Sequence, residues 1–238
     1  MIKSVLFDLD GTLLPLNQDD FAREYLTHIG AKVAQVIDPK KFVSQLLAST
    51  DVMVRNKDKT KTNQQVFLED FLHKIGVARE ILLPVIDEFY ETDFVLVKSI
   101  TRRAAAARQA IMAVIECGLD VVVATNPIFP ASAVRQRLAW AGVDDINFKL
   151  ITSYEQSHFC KPHVEYYLEI AAHLGRLPAE CLMVGNDVKE DLAAARIGMT
   201  TYLVTDCLLN VKNAVINTDY QGTLQELAQT IAQIIKER

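Results

Sequence analysis

The stretch Ile2-Lys3-Ser4-Val5-Leu6-Phe7-Asp8-Leu9-Asp10-Gly11-Thr12 decides how the rest of the chain is read. Val5-Leu6-Phe7 is continuously apolar, as a parallel strand covered on both faces must be, and residues 2–7 are expected to form that strand. Asp8 follows directly on this buried run. A lone carboxylate there costs several kcal/mol unless a cation or dense hydrogen bonding offsets it. Mg²⁺, a hard ion suited to carboxylate and phosphate oxygens, would supply the cation. Asp10-Gly11 taken alone is an ordinary turn signal. Its chemical reading depends on Asp8.

Working outward, short runs rich in Val, Ile and Leu at 119–124, 148–151, 181–184 and 201–204 read as further strands. Helical patterns fall between or after them at about 102–117, 131–141, 163–174, 189–197 and 223–236. Gly118, Gly142, Gly175 and Gly198 stand where left-handed helix ends favour glycine. The alternation predicts a doubly wound, Rossmann-like α/β fold with a parallel sheet. Residues 17–98 break the rhythm with amphipathic helical patterns and no convincing buried strand. That is too long for one crossover, so an inserted helical domain is expected at 17–98, with the α/β core formed by 1–16 and 99–238.

Ligands of open α/β sheets bind beyond the carboxyl ends of the strands. The residues leaving those strands are Asp8 and Asp10, then Thr125-Asn126, then Gly185-Asn186-Asp187 with Asp191 beyond; Lys161-Pro162 precedes another helix. Each has a bland alternative. Asp187 and Asp191 suit a helix N-terminus, Thr125 a strand end, and Lys161 a surface position before a proline-initiated helix. Jointly they supply the carboxylates, hydroxyl and ammonium that phosphoryl transfer to a carboxylate nucleophile requires.

The ordered set, DxDGT at 8–12, Thr125, Lys161-Pro162 and GNDxxxD at 185–191, resembles the haloacid dehalogenase-like (HAD) hydrolase superfamily. Its phosphatase branch carries a helical cap where residues 17–98 fall. The resemblance implies that Asp8 is the nucleophile, forming an aspartyl-phosphate, and that Asp10 is the general acid and base. It implies Mg²⁺ held by Asp8, the Asp10 carbonyl and Asp187. Phosphate binding would fall to Thr125, Asn126 and Lys161, with Asp191 orienting metal-bound water or Lys161. Asn186 departs from the pattern, standing between the glycine and the acid.

Half of the 238 residues are hydrophobic, 23% are charged, and the net charge is −5. That balance argues against a nucleic-acid partner, and a small phosphomonoester is the expected substrate. No apolar run approaches the ~20 residues of a membrane span, no signal peptide opens the chain, and a cytoplasmic location is expected. The four scattered cysteines and five histidines show no zinc spacing. A dehalogenase does not need the second aspartate, since halide leaves without a proton. A sugar phosphomutase would keep every core residue named, and a phospho-accepting signalling or binding module would not need the insertion. The basic stretch at 55–61 reads as a solvated loop or an attractor of anions, and Trp140 as packing.

Overall fold

The computed structural model describes residues 1–237. Six parallel strands form one sheet: β1 (Ser4–Phe7), β2 (Asp120–Val123), β3 (Leu150–Ile151), β4 (Cys181–Gly185), β5 (Thr200–Val204) and β6 (Tyr220–Gly222). Their spatial order is β3-β2-β1-β4-β5-β6. The chain steps outward from β1 on one side through β2 and β3, then returns to lay β4, β5 and β6 on the other. The order therefore reverses at β1, where open sheets form their ligand crevice.

Alternating residues of each strand serve opposite faces. Val5, Phe7, Val121, Val123, Leu182 and Val184 pack under helices α5 (Ala105–Glu116), α6 (Ala131–Ala141) and α8 (Leu224–Glu237). Leu6, Val122 and Met183 face α7 (Val164–Leu174) and the 3₁₀ segment Asp191–Ile197. Both faces are covered, which accounts for the nearly unbroken apolar runs in the sequence.

Between β1 and α5 lie helices α1 (Gln18–Val33), α2 (Pro39–Arg55), α3 (Asn63–Ile75) and α4 (Arg79–Glu88). They start as their sequences direct. Asn17 accepts from the Asp20 amide, Asp38 precedes a first-turn proline, and Thr62 with Gln65 forms a capping box. One π-helical turn (Phe89–Asp93) and one 3₁₀ segment (Phe94–Ile100) lead back to the sheet. Aromatic side chains join the insertion to the core: Phe94 stacks on Trp140 of α6 at 5.1 Å, and Tyr25 meets Phe129 edge-on at 5.2 Å. Trp140 is thus a packing residue. At the neck of the insertion, the Arg102 amide donates to the Pro15 carbonyl over 3.0 Å, so the outgoing and returning chains touch.

Several elements differ from the sequence expectation, among them β1, which starts at Ser4 rather than at residue 2. Helix α5 starts at 105 because the Arg102–Pro15 bond keeps the preceding residues extended. Strand β3 starts at 150 because Phe148 is tied into a turn by the Ile146 carbonyl. The segment expected as a helix over 189–197 is a seven-residue 3₁₀ turn, the form common in short pieces. Strand β6 was not expected; it is three residues long and not fully buried.

Candidate active site

The Asp8 amide donates to the Val184 carbonyl, so the β1–β4 ladder delivers Asp8 to the sheet's carboxyl edge at the reversal point. The chain then turns sharply. Gly11 has φ +84°, and a Cβ there would stand 2.4 Å from the Asn186 side chain. Glycine is required on both counts. Thr12 is fully buried, with its hydroxyl 3.2 Å from Asp8 Oδ2 and 2.9 Å from Asn186 Oδ1.

Lys161 reaches Asp8 from the loop after β3. Its ammonium, also buried, donates to Asp8 Oδ1 at 2.8 Å and to Asp191 Oδ1 at 2.6 Å. Burial alone would lower the Lys161 pKa, but Asp191 and Asp8 reverse this and hold it well above the ordinary value. Asp191 is itself raised to about 7 by burial, against the pull of Lys161. Asp191 also fixes the local backbone, since its Oδ2 accepts from the Asp187 amide at 2.9 Å. A Cβ on Gly185 would collide with this carboxylate at 2.1 Å.

Thr125 and Asn126 leave β2 beside these groups. The Thr125 carbonyl accepts from the hydroxyls of Thr152 (2.7 Å) and Tyr166 (2.8 Å). Asn126 accepts from the Lys161 amide at 3.2 Å and donates to Glu190 at 3.1 Å. One cavity of about 480 Å³ is lined by Asp8, Asp10, Thr125, Asn126, Asp187 and Asp191, among others. Six of the seven residues singled out from the sequence thus line a single cavity, and the seventh, Lys161, bonds to two of them. Asn186 does not line it. Its amide donates to the Cys207 carbonyl at 2.7 Å, whereas its neighbour Asp187 faces the cavity.

Two participants escape a reading of the sequence. Arg137 of α6 is fully buried and paired with the Asp10 carboxylate, and its guanidinium lies over the Phe129 ring at 4.6 Å. The available signal was its place on the apolar stripe with Ala133, Val134, Leu138 and Ala141, where a cation needs a partner. Burial raises the Asp10 pKa while Arg137 opposes the rise. Glu190 also lines the cavity, its pKa raised to about 7 by burial.

The basic stretch 55–61 does not line this cavity: Lys57 pairs with Glu165 and Lys61 with Glu69. Cys160, beside Lys161, is buried, and burial pushes its thiol pKa up, so it stays neutral.

The donor set suits a hard cation. Five acids (Asp8, Asp10, Asp187, Glu190 and Asp191) line the cavity, against the two buried cations Lys161 and Arg137. The buried Asp10 Oδ1 has no hydrogen-bond partner among the described residues. No cluster of three or more His, Cys, Asp or Glu side chains converges on one point among those residues, so water and main-chain oxygen would complete the coordination of a cation held by one or two carboxylates.

Residues 2–198 match the family described as haloacid dehalogenase-like hydrolase. Phosphoglycolate phosphatase of Xylella fastidiosa is 27% identical over 199 residues, 83% of this chain and 77% of that protein. A phosphatase-named protein of Bacillus subtilis is 32% identical over 83 residues, spanning only 35% of this chain and 36% of its own length. The solved HAD phosphatase from Thermococcus onnurineus superposes with a TM-score of 0.61 over 97% of this chain and 98% of that one, at 20% identity. The last likeness is one of fold. The chain belongs to the haloacid dehalogenase-like hydrolases and is an enzyme of that class.

Proposed function

We propose that this hydrolase cleaves a small phosphomonoester through an aspartyl-phosphate on Asp8, with Asp10 as general acid and base. The observation that carries the reading is the placement of Asp8. It stands at the strand reversal, bonded to Lys161, in one cavity with Asp10, Thr125, Asn126 and Asp187. The phosphatase names of the relatives support it.

In the first displacement, an Asp8 oxygen forms a bond to phosphorus as the bond from phosphorus to the alcohol oxygen breaks. Asp10 gives its proton to the departing alkoxide. Its burial favours the protonated form this step needs, and its unpartnered Oδ1 is free to act. In the second, Asp10 takes a proton from water, the water oxygen bonds to phosphorus, and the Asp8 carboxylate leaves. Lys161 offsets negative charge on the nucleophile and the phosphoryl group together, while the Thr125 hydroxyl and Asn126 bind phosphoryl oxygens. Asp191 positions Lys161.

Asp8, the Asp10 carbonyl and Asp187 would hold Mg²⁺, which when bound neutralises phosphoryl charge. Residues 17–98 would act as a cap that shields the site from water and sorts substrates.

The test is phosphate release from a phosphomonoester panel with and without Mg²⁺, comparing wild type with Asp8→Asn. Acid-quenched wild type should carry a phosphoryl adduct on the peptide containing Asp8, and the variant should carry none and release no phosphate. Full turnover in the variant, or in excess chelator, would refute the mechanism. Rearranged sugar phosphate without net phosphate release would identify a mutase instead.

A further inference from the structure

The cavity that holds the Asp8 carboxylate continues deep into the helical insertion. Its volume of about 480 Å³ falls in the range, roughly 300–1,000 Å³, in which whole organic ligands are enclosed. The wall away from the carboxylates is apolar, built by Leu26 and Ile29 of α1, Leu46 of α2, Phe67 of α3, and Leu83 and Ile86 of α4. Core residues Ile128 and Phe129 continue it.

Polar groups on that side are outnumbered by apolar ones and are neutral or compensated: Gln64 partners the Tyr154 hydroxyl, the Thr50 hydroxyl donates to the Leu46 carbonyl at 2.8 Å, and Gln18 is solvent-exposed. The Tyr25 and Tyr90 hydroxyls bond to each other at 2.8 Å. Among the described residues, Arg79 is the one basic residue in the lining; it is solvent-exposed, and exposed Asp87, of opposite charge, lines the same cavity. The lysines of 55–61 contribute nothing to the lining.

These walls discriminate by chemistry. A sugar would lay several hydroxyls against a wall that is mostly hydrocarbon and whose polar side chains mostly have partners already or face solvent, and would lose the water that satisfied them. A second carboxylate, as in a phosphorylated hydroxy acid, would find only a hydrated cation beside an acid. An apolar alcohol leaves no polar group stranded and removes apolar surface from water. Resting on the phosphohydrolase reading above, we infer that the substrate is a phosphomonoester of an uncharged, predominantly apolar alcohol, an alkyl or aryl group of several carbons.

The n-alkyl phosphates from methyl to octyl test this, because their leaving groups are chemically alike and only buried surface grows. With Mg²⁺ present, kcat/KM should rise by about fourfold per methylene until the cavity is filled. Octyl phosphate should exceed hexose phosphates and phosphoglycolate. The Leu83→Asp variant, altered at a half-buried wall position, should flatten the rise. Calorimetric titration with n-alkylphosphonates, which cannot be hydrolysed, should show Kd tightening along the series in wild type and in Asp8→Asn alike.

A flat or inverted dependence on chain length in both measurements overturns the inference, as does faster turnover of phosphoglycolate or a hexose phosphate. If either occurs while Asp8→Asn still abolishes turnover, the substrate class is wrong and the site stands. If turnover is indifferent to Asp8→Asn, the reading of the site has failed, and the phosphoester assignment fails with it.

Discussion

The guanidinium of Arg137 is paired with the carboxylate of Asp10, 127 residues distant in sequence, across the contact between α6 and the turn after β1. A buried arginine so placed holds the proposed acid/base in one rotamer and leaves its other oxygen, Oδ1, unpartnered. Arg137→Met should lower kcat by about 10–100-fold, part of the roughly 10²–10⁴-fold that general acid–base catalysis contributes, with a smaller change in KM. Arg137→Lys should recover part of the loss by keeping the charge. Steady-state kinetics on both variants, with thermal melts as a fold control, checks this. Equal activity of wild type and Arg137→Met would remove the residue from the mechanism.

Lys161 separates two buried carboxylates, Asp8 at 2.8 Å and Asp191 at 2.6 Å. Removing the ammonium leaves like charges facing each other without a counter-ion. Lys161→Met should abolish turnover and destabilise the fold by about 3–5 kcal/mol, the scale for breaking a buried pair from one side. The double variant Lys161→Met with Asp191→Leu should recover part of that stability but no activity. Denaturant melts of the single and double variants measure the difference.

Asp187 faces the cavity and Asn186 does not. Asp187→Ala should therefore raise the Mg²⁺ concentration needed for half-maximal rate by at least about tenfold. Asn186→Ala should act mainly on stability, by about 1–3 kcal/mol, since its two hydrogen bonds, one buried and one partly buried, join the Thr12 turn to the Cys207 loop. Mg²⁺ titrations of rate in each variant decide between the neighbours; a larger metal defect for Asn186→Ala would reverse the assignment.

Asn63, at the start of α3, is fully buried and fastens the insertion to the core. Its amide group donates to the carbonyls of Pro127 (3.2 Å) and Phe159 (3.3 Å), and its backbone N–H donates to the Ser157 carbonyl. Asn63→Ala should leave both carbonyls unsatisfied and loosen this contact. Faster hydrogen exchange is expected in α3 and in residues 154–160, while the amides of β1 and β4 stay protected. Unchanged exchange in α3 would show that the aromatic contacts hold the insertion without Asn63.

The Asp70 carboxylate is held below the usual range by Lys74 and, secondarily, by the Ser49 hydroxyl, with partial burial acting the other way. A depressed carboxylate pKa contributes stability above the unfolded value of about 3.9, and the contribution is lost as pH falls through the folded value. Asp70→Asn should thus be less stable than wild type at neutral pH, by under about 1 kcal/mol for a solvent-screened pair. The gap should close below about pH 4. Paired melts at neutral and acid pH measure it, and a gap that widens on acidification would contradict the assignment.

The strand-end logic reaches Asp8, Asp10, Thr125, Asn126, Asp187 and Asp191 from sequence because a parallel sheet aims every such residue at one edge. Lys161 lies in a loop, and only its company in sequence marks it. Arg137 is hidden because it acts through length: a long side chain crosses from a helix whose backbone lies outside the site. The cavity wall is hidden for another reason. Amphipathic periodicity shows that Ile29, Leu46 and Leu83 lie on helix faces, but not whether those faces meet one another or a void. The π-helical turn at 89–93 and strand β6 are too short to announce themselves by period.

At the neck of the insertion, the meeting of Pro15 and Arg102 gives the molecule two separable inheritances. Some eighty residues leave and rejoin the sheet at one point, so they can lengthen, shrink or be exchanged without changing how β1 lies against β2. A lineage built on this plan can trade one preferred alcohol for another by drift in the walls of α1 to α4. Asp8, the proposed nucleophile, and Lys161 belong to the sheet's edge and its loops rather than to those walls.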